Sequence, residues 1–599
     1  MRELGLSHVR VAEFAWSRIE PRRGEFRWEW LDEAVGVLGE AGLRVVMCTP
    51  TATPPKWLVD ERPDILPTGP DGRVRAFGSR RHYSFSSPGY REESRRITRA
   101  VAARYGGNPH VAAWQTDNEY GCHGTVRDYG PAARDAFREW LRAKHGDVDA
   151  LNAAWGNVFW SMEYRSFSEV DVPSGAVTET NPAHRLDFAR FSSDQVVAFD
   201  REQLAILRDL SPGRWTVHNV MGVSLDFDHF ALGRNHDMLA WDSYPLGFLE
   251  QSAASEVHKL AYMRAGDPDF QAFHHDLYRN TAPAWGVMEQ QNGPVNWAPH
   301  NPFPREGQVR LWTEEARAHG ASLVSYFRWR QAPFAQEQNH SALLRVDGSL
   351  SAGGREVEAL PAQEGVGEPL REVALVFSYD AQWMFETQPQ GAGWSYWELV
   401  QRFYRAARRQ GLNTDVVGPD ADLSPYALAL APSLPVVDPQ TFRGMPALFG
   451  PRTGSKTEHF RIPPEGPPGP LAELVPLRVH RWESLRPNAE LALEWEGDTY
   501  PVTTWREEVE TDAEVLATVE GRPALVRSGH ASYLAVWPDE TFLSRIVGRM
   551  AADAGLEPEQ LPEGVRTRRT ASGTFAANHG PEPVGWRGRT LLPGGTVWL

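Results

Sequence analysis

The chain has 599 residues and a mass of 67.1 kDa, more than one ordinary domain holds. Hydrophobic residues make up 41% and charged residues 23%, a globular balance that excludes wholesale disorder. With 62 Lys and Arg against 78 Asp and Glu the net charge is −16, which argues against a nucleic-acid groove or a polybasic membrane anchor.

In chain order, short apolar runs alternate with helical patterns up to about residue 330. The expected strands are His8–Ala12, Arg44–Cys48, Val111–Thr116, Trp215–Asn219, Met238–Asp242, Ala284–Met288 and Leu323–Phe327. Between the first two, Leu31, Ala34, Val35 and Leu38 trace one face of a helix that Gly42 ends. Repeated units of this kind predict a parallel sheet buried on both faces. Seven strands are one short of a closed eight-stranded barrel. An open doubly wound sheet would need a Gly-rich phosphate turn after an early strand, which this sequence lacks. The catalytic-type barrel unit is assigned to 1–350. Residues 351–370 (SAGGREVEALPAQEGVGEPL) read as a linker. A second α/β unit is assigned to 371–565, with strands at Val373–Tyr379, Tyr426–Leu430 and Ala447–Phe449. In it Leu399, Val400, Phe403, Tyr404 and Ala407 mark a helix closed by Gly411, and the Pro-rich stretch 462–470 is loop. Residues 566–599 alternate apolar and polar with Gly turns and read as a small β module.

The chemistry of a parallel barrel sits at the C-terminal ends of its strands. Those ends carry Glu13, Thr51, Asn118, Glu119, Asn219, Asp242, Tyr244, Glu289, Arg328 and Trp329, a polar ring rich in carboxylates and aromatics. Glu119 and Glu289 stand out because each directly follows an apolar strand. Two carboxyls at one barrel mouth are what glycoside cleavage needs, one to protonate the leaving oxygen and one to attack the anomeric carbon or activate water. Either Glu taken alone is equally well an ion-paired rim residue. The 23 Trp fit a sugar cleft, since indole faces stack on pyranose C–H groups, although core filling explains any single Trp as well.

The stretches AEFAWSRIEP (12–21), TPTATPPKWL (49–58), GSRRHYSFSSPGYREE (78–93), WQTDNEYGCHGTVRDYGP (114–131), MEQQNGPVNW (288–297), YFRWRQAPFAQEQNHSALL (326–344) and YDAQWMFETQPQG (379–391) together resemble the family 42 β-galactosidases. The resemblance implies a TIM barrel, a flavodoxin-like α/β domain resembling the family's trimerisation domain, and a small C-terminal β domain. It implies hydrolysis of terminal non-reducing β-D-galactosides with retention, Glu119 as acid/base and Glu289 as nucleophile, no cofactor, and a homotrimer. Asn118 would bond the sugar 2-OH, and Arg80, Glu337 and His340 would read the axial 4-OH, with Trp160 and Trp297 as walls. Retention implies two carboxyls about 5–5.5 Å apart, where repulsion favours a proton on Glu119 while Glu289 stays ionised. The alternatives are a related glycosidase acting on β-fucosides, α-L-arabinopyranosides or galactan fragments, and a sugar-binding relic without turnover.

Other signals are weaker. Two cysteines, Cys48 and Cys122, build no disulfide framework and no Cys-based zinc site, which fits a reducing, cytoplasmic setting. Many relatives carry a Cys cluster where this chain has Ser84, Asp128, Gly130 and Ala133, so no zinc is expected. Glu337 and His340 are spaced like a metal pair but lack a second such pair. GPRTGSKT (450–457) approaches a phosphate loop but carries Ser455 at the second glycine, so a turn is expected. His274 and His275 read as surface or packing residues. The opening MRELGLSHVRVAEF has no apolar h-region, and no later run approaches the ~18 apolar residues of a membrane span. Relative to the family, the opening MRELGLSHVRV falls after the first barrel strand, so the expected natural start lies upstream.

Overall fold

The computed structural model describes residues 1–361 and 365–599. Contacts divide it into two compact units, one of Met1–Ser243, Thr281–Gln290 and Ser325–Trp329, the other of Tyr244–Asn280, Gln291–Val324 and Arg330–Leu599.

The first unit is built on a parallel sheet of β1 (His8–Val11), β2 (Arg44–Cys48), β3 (Val111–Gln115), β4 (Trp215–Met221), β5 (Met238–Ser243), β6 (Ala284–Gln290) and β7 (Leu323–Tyr326). The strands lie side by side in chain order, and each named pairing from β1 through β6 is parallel. All seven expected strands are present, with ends within two residues of those read from sequence. Their apolar runs are continuous because the sheet is covered on both faces: β5 is buried throughout, and β6 at every residue after the first. The edge strand β1 is only half buried. Among the described residues no eighth strand joins this sheet.

Helices between the strands start where sequence says they should. Ser87 accepts from the Tyr90 N–H, with Pro88 at the first helical position of Pro88–Tyr105. Asn181 caps Pro182–Leu210 in the same way. The expected helix before Gly42 is Glu29–Glu40, burying Leu31 and Val35. Trp16, Trp114 and Trp241 are fully buried, so for these the core-filling reading applies.

The second unit carries β8 (Val373–Val376), β9 (Thr414–Val417), β10 (Leu428–Ala431), β11 (Ala447–Phe449), β12 (Leu477–Ser484), β13 (Leu491–Trp495), β14 (Asp498–Val502), β15 (Trp505–Thr511), β16 (Glu514–Val519), β17 (Arg522–Ser528) and β18 (Ala531–Leu534). Its parallel strands run in space β9-β8-β10-β11-β18. In chain order this is 2-1-3-4-5, the flavodoxin arrangement. β17, β16, β13 and β14 extend the sheet antiparallel. The strand expected over Val373–Tyr379 stops at Val376, because Ser378 caps a helix over Tyr379–Thr387. Residues 565–598 form the expected C-terminal β module of five strands, β19 (Val565–Thr570) to β23 (Thr596–Trp598).

The 351–370 stretch read as a linker is in part a helix, Ala352–Glu358, capped by Ser351. Residues 362–364 of that stretch lie outside the described residues. Gly353 and Gly354 are there for close approach rather than flexibility. A Cβ on them would stand 2.0 Å from the Asn292 carbonyl oxygen and 2.2 Å from that of Leu343. The loop 450–457 is a turn. The N–H groups of Arg452, Gly454, Lys456 and Thr457 bond to Glu507, Leu434, Pro435 and Arg461, leaving none of them to cradle a phosphate.

Buried ion pairs hold this unit's parts together. Arg566 of β19 donates twice to Asp269 of the helix Pro268–Tyr278, at 2.7 and 2.6 Å. Arg568 lies between Asp276, 3.2 Å away, and Asp415 of β9, 3.0 Å away, all essentially excluded from solvent. His274 and His275 sit on the same helix, both fully buried, which excludes the surface reading of these two residues and leaves packing.

Candidate active site

Glu119 follows β3 in a turn that a non-glycine chain adopts reluctantly. Asp117 (φ 48°) and Glu119 (φ 47°) are both left-handed, a conformation costing about 1–3 kcal/mol each. Side chains compensate for the strain. Thr49 Oγ1 accepts from the Asp117 N–H at 2.7 Å, and Asn219 Oδ1 accepts from the Glu119 N–H at 3.3 Å. Arg81 Nε donates to the Glu119 carbonyl at 2.8 Å. His218 accepts from the Tyr120 N–H at 3.2 Å through Nε2 and donates from Nδ1 to the Thr116 carbonyl at 2.8 Å. Burial pushes this imidazole down to about 3, so it is neutral and its tautomer is set by the two bonds.

Glu289 lies on β6 at a bulge. Trp241 of β5 pairs with Val287 and Asp242 with Glu289, so one extra residue on β6 brings the Glu289 and Asp242 side chains level on one face. Each of Glu119, Asp242 and Glu289 offers a carboxylate oxygen within 4.8 Å of the others, and all three are buried. Arg10, projecting from β1, donates to Glu289 Oε1 at 2.5 Å and to Asn118 Oδ1 at 3.3 Å. Arg81 donates to Glu119 Oε2 at 2.5 Å, and Asn118 Nδ2 donates to the same oxygen at 3.0 Å. Asn219 Nδ2 bridges Asn118 Oδ1 at 3.1 Å and Asp242 Oδ2 at 2.8 Å.

The electrostatics depart from the simple two-carboxyl expectation. Burial pushes the Glu119 carboxyl up, but the guanidiniums of Arg81, Arg80 and Arg10 overrule it and hold it below its ordinary range. Asp242 goes the other way. Burial, then the charges of Glu289 and Glu119, raise it well above the ordinary carboxylate range. The two carboxyls are pushed in opposite directions because two cations crowd Glu119 while the hydrogen bond to Asp242 comes from the neutral Asn219 amide.

Of the residues named from sequence, Asn118, Glu119, Glu289 and Arg80 come together, with Arg80 Nη1 3.5 Å from Glu119 Oε2. Trp160 is 64% exposed on a loop with φ 61°, its ring against Phe159. Within the second unit, Tyr244 packs edge-on against Trp297 at 5.7 Å and against His340 at 5.6 Å. His340 is buried, Glu337 is half buried, and the His340 N–H bonds the Glu337 carbonyl at 3.0 Å. Sequence reading missed Arg10 and Arg81. A charged residue within the apolar strand HVRV was the available signal for Arg10.

A parallel barrel sheet with paired carboxyls at its strand ends, ringed by arginine and amide groups, defines a glycoside-cleaving enzyme. Comparison with known proteins identifies its kind. The β-galactosidase family profile matches residues 1–363, and the β-galactosidase trimerisation domain matches 371–557. The chain is 54% identical to a β-galactosidase of Thermus thermophilus, covering 98% of this chain and 92% of that one. It is 43% identical to β-galactosidase Bga of Halorubrum lacusprofundi, over 96% and 88%. The crystal structure of the β-galactosidase from psychrophilic Marinomonas ef1 superposes with a TM-score of 0.96 at 48% identity, covering 98% and 93%. The chain belongs to the family 42 β-galactosidases and is a glycosidase hydrolysing β-galactosides.

Proposed function

We propose that the chain cleaves terminal non-reducing β-D-galactosides by double displacement, with Glu289 as nucleophile and Glu119 as acid/base. The observation that carries this is the carboxylate separation. Glu119 and Glu289 oxygens lie within 4.8 Å, which fits the ~5–5.5 Å of retaining enzymes and leaves no room for the water held between carboxyls ~6.5–9.5 Å apart in inverting ones. Glu289 attacks the anomeric carbon while Glu119 gives its proton to the departing oxygen. Glu119, now a carboxylate, then takes a proton from the water that cleaves the galactosyl ester. Asn118, bonded to both Arg10 and Glu119, is positioned for a sugar 2-OH, a contact that strengthens as positive charge develops on the ring. Arg80, Glu337 and His340 supply polar contacts for the axial 4-OH, and Trp160 and Trp297 supply apolar walls.

The same reading assigns domains at 1–350, 371–565 and 566–599, a cytoplasmic setting and a homotrimer. The match of 371–557 to a trimerisation domain supports the trimer. No described helix is long and apolar enough to cross a membrane. Sedimentation should give three times the mass of the 67.1 kDa chain.

The test of mechanism uses nitrophenyl β-D-galactoside. Glu289→Ala should abolish turnover, and Glu119→Ala should lower it about 10²–10⁴-fold. Azide should rescue Glu119→Ala with a β-galactosyl azide product and Glu289→Ala with the α anomer. The same anomer from both variants would refute the assignment. Comparing kcat/KM for β-fucoside and α-L-arabinopyranoside analogues, which differ from galactose at C5, ranks the substrates.

A further inference from the structure

The double displacement proposed above uses two carboxyls, yet the site holds three. Asp242 is wholly buried, and among the described residues the side chain that hydrogen-bonds it is the neutral amide of Asn219. Its Oδ2 accepts from Asn219, and its Oδ1 is buried without a hydrogen-bond partner. The β6 bulge sets it directly beside Glu289 rather than leaving the two out of register. A buried carboxyl placed against a nucleophile with no cation of its own calls for an explanation.

Counting charge supplies one. Arg10 pairs with Glu289 and, at 3.5 Å, with Glu13. Arg81 pairs with Glu119 at 2.5 Å, and Arg80 stands 3.5 Å from it. Three guanidiniums thus face Glu13, Glu119 and Glu289. A fourth carboxylate would leave one buried charge uncompensated, so the cluster of Glu119, Asp242 and Glu289 holds one proton. Asp117 after β3, a buried carboxyl pushed up by burial to about 6, adds negative charge beside Arg81 and so strengthens the case for a retained proton, while the thiols and imidazoles facing the cluster add none. Cys48 of β2 and Cys122 after β3 are buried thiols pushed up by burial, Cys122 to about 12. His218 from β4 and His123 are pushed down by burial and stay neutral. The strand Leu323–Tyr326 carries no charged side chain.

We propose that Asp242 is a positioning residue that shares this single proton with Glu119, so that the acid is replenished while Glu289 stays ionised. At rest the proton sits on Asp242. Carboxylate oxygens of the two lie within 4.8 Å, a span that one hydroxyl group, of water or of the sugar, can bridge with two hydrogen bonds. That hydroxyl takes the Asp242 proton and gives its own to Glu119. The cluster carries a charge of −2 in either form. Glu119 then protonates the leaving oxygen as its bond to carbon breaks, and Glu289 forms the ester. Glu119 and Asp242 are now the two carboxylates, so the charge is still −2 opposite Arg10 and Arg81. Glycosylation therefore proceeds without changing the buried charge.

The test is the pH dependence of kcat/KM for Asp242→Asn, which keeps the neutral shape but cannot hold the proton. With nitrophenyl galactoside the alkaline limb should move to lower pH by at least about one unit, because Glu119 loses the neighbouring anion that sustains its proton. The acid limb should stay in place. With a dinitrophenyl galactoside, whose leaving group needs no acid, the variant's loss at alkaline pH should be much smaller than with nitrophenyl galactoside. Asp242→Ser, smaller and still hydroxylic, carries the same expectation should Asp242→Asn fold poorly. An unmoved alkaline limb in a folded variant, or an equal loss for both leaving groups at every pH, overturns the inference. Glu119→Gln and Glu289→Ala run alongside. If Glu289→Ala keeps nitrophenyl turnover, or Glu119→Gln is not slowed, the double displacement falls and the inference with it. If both lose turnover and the limb is unmoved, only the role of Asp242 falls.

Discussion

Replacing Arg10 by Met removes the cation 2.5 Å from Glu289 while roughly keeping side-chain volume. Both side chains are less than a tenth exposed, so the pair is a buried one. Breaking such a pair by deleting one member costs about 3–5 kcal/mol. The protein relieves part of that cost by protonating Glu289, and a protonated Glu289 cannot attack carbon. The sign follows directly. Arg10 favours the anion, so its loss makes Glu289 hold its proton to higher pH, and the acid limb of kcat/KM moves upward. At about 1.4 kcal/mol per tenfold, the lower part of that range predicts a loss of roughly 10²–10³ at neutral pH, shrinking as pH rises. The assay is a pH series of kcat/KM with nitrophenyl galactoside, with melting temperature measured in parallel to separate unfolding from chemistry. An acid limb that does not move, or a loss of equal size at every pH, would refute the claim that Arg10 sets the charge of the nucleophile.

Arg81→Met should act in the opposite part of the profile. Burial raises Glu119 and the guanidiniums lower it, so removing Arg81 should move the alkaline limb of kcat/KM to higher pH while kcat falls as the carbonyl anchors at Asn118 and Glu119 are lost. Arg568→Met should destabilise the protein by about 3 kcal/mol in chemical denaturation, the low end of the cost for a broken buried pair. The low end applies because Asp276 keeps Tyr404 and His319, and Asp415 keeps Arg279 and Tyr426. Melting temperature should fall as pH drops from about 6.5 to about 4. Burial pushes His184 and His274 down to about 4, so in that window the unfolded chain takes up protons that the folded chain refuses. His184→Gln should flatten this slope. Below the ordinary carboxylate range Asp187, held down against its burial by His145 and Lys144, adds a second loss as it protonates.

The barrel strands were legible because each is a short apolar run bounded by polar residues, the pattern of a sheet covered on both faces. Their ends then located Glu119, Asn118, Asp242 and Glu289 without any coordinates. What composition could not locate are partners brought from far along the chain. Arg10 and Glu289 are 279 residues apart, and nothing local to either announces the pair. Arg81 was overlooked for its neighbour Arg80, since adjacent residues in an irregular loop have no period that tells the buried one from the exposed one. The strands from Leu477 to Leu534 were missed for a different reason. β12 and β15 pair antiparallel, and β12 is polar and exposed along most of its length, so it lacks the hydrophobic run that marks a strand. The linker reading of 351–370 missed the helix Ala352–Glu358 because two adjacent glycines signal flexibility and close packing equally well.

The site also explains why two carboxyls alone were an incomplete description. Proximity raises the proton affinity of one member of a pair only if the counter-charges are evenly placed. Here they are not, since Arg81 and Arg80 crowd Glu119 while Arg10 holds Glu289. Left to these ions, both catalytic carboxyls would be anionic, and an anionic Glu119 has no proton to give. On the proposed sharing, the third carboxyl would supply the missing proton without removing the arginines paired with Glu119 and Glu289. On that reading rigidity and acidity come from different residues: guanidiniums fix the geometry, and Asp242, beside Glu289 by virtue of one extra residue on β6, would carry the proton. The arrangement depends on β1, an edge strand paired on one side only, because Arg10 projects from it. The charge of the proposed nucleophile is thus tied to a half-buried edge strand of the sheet.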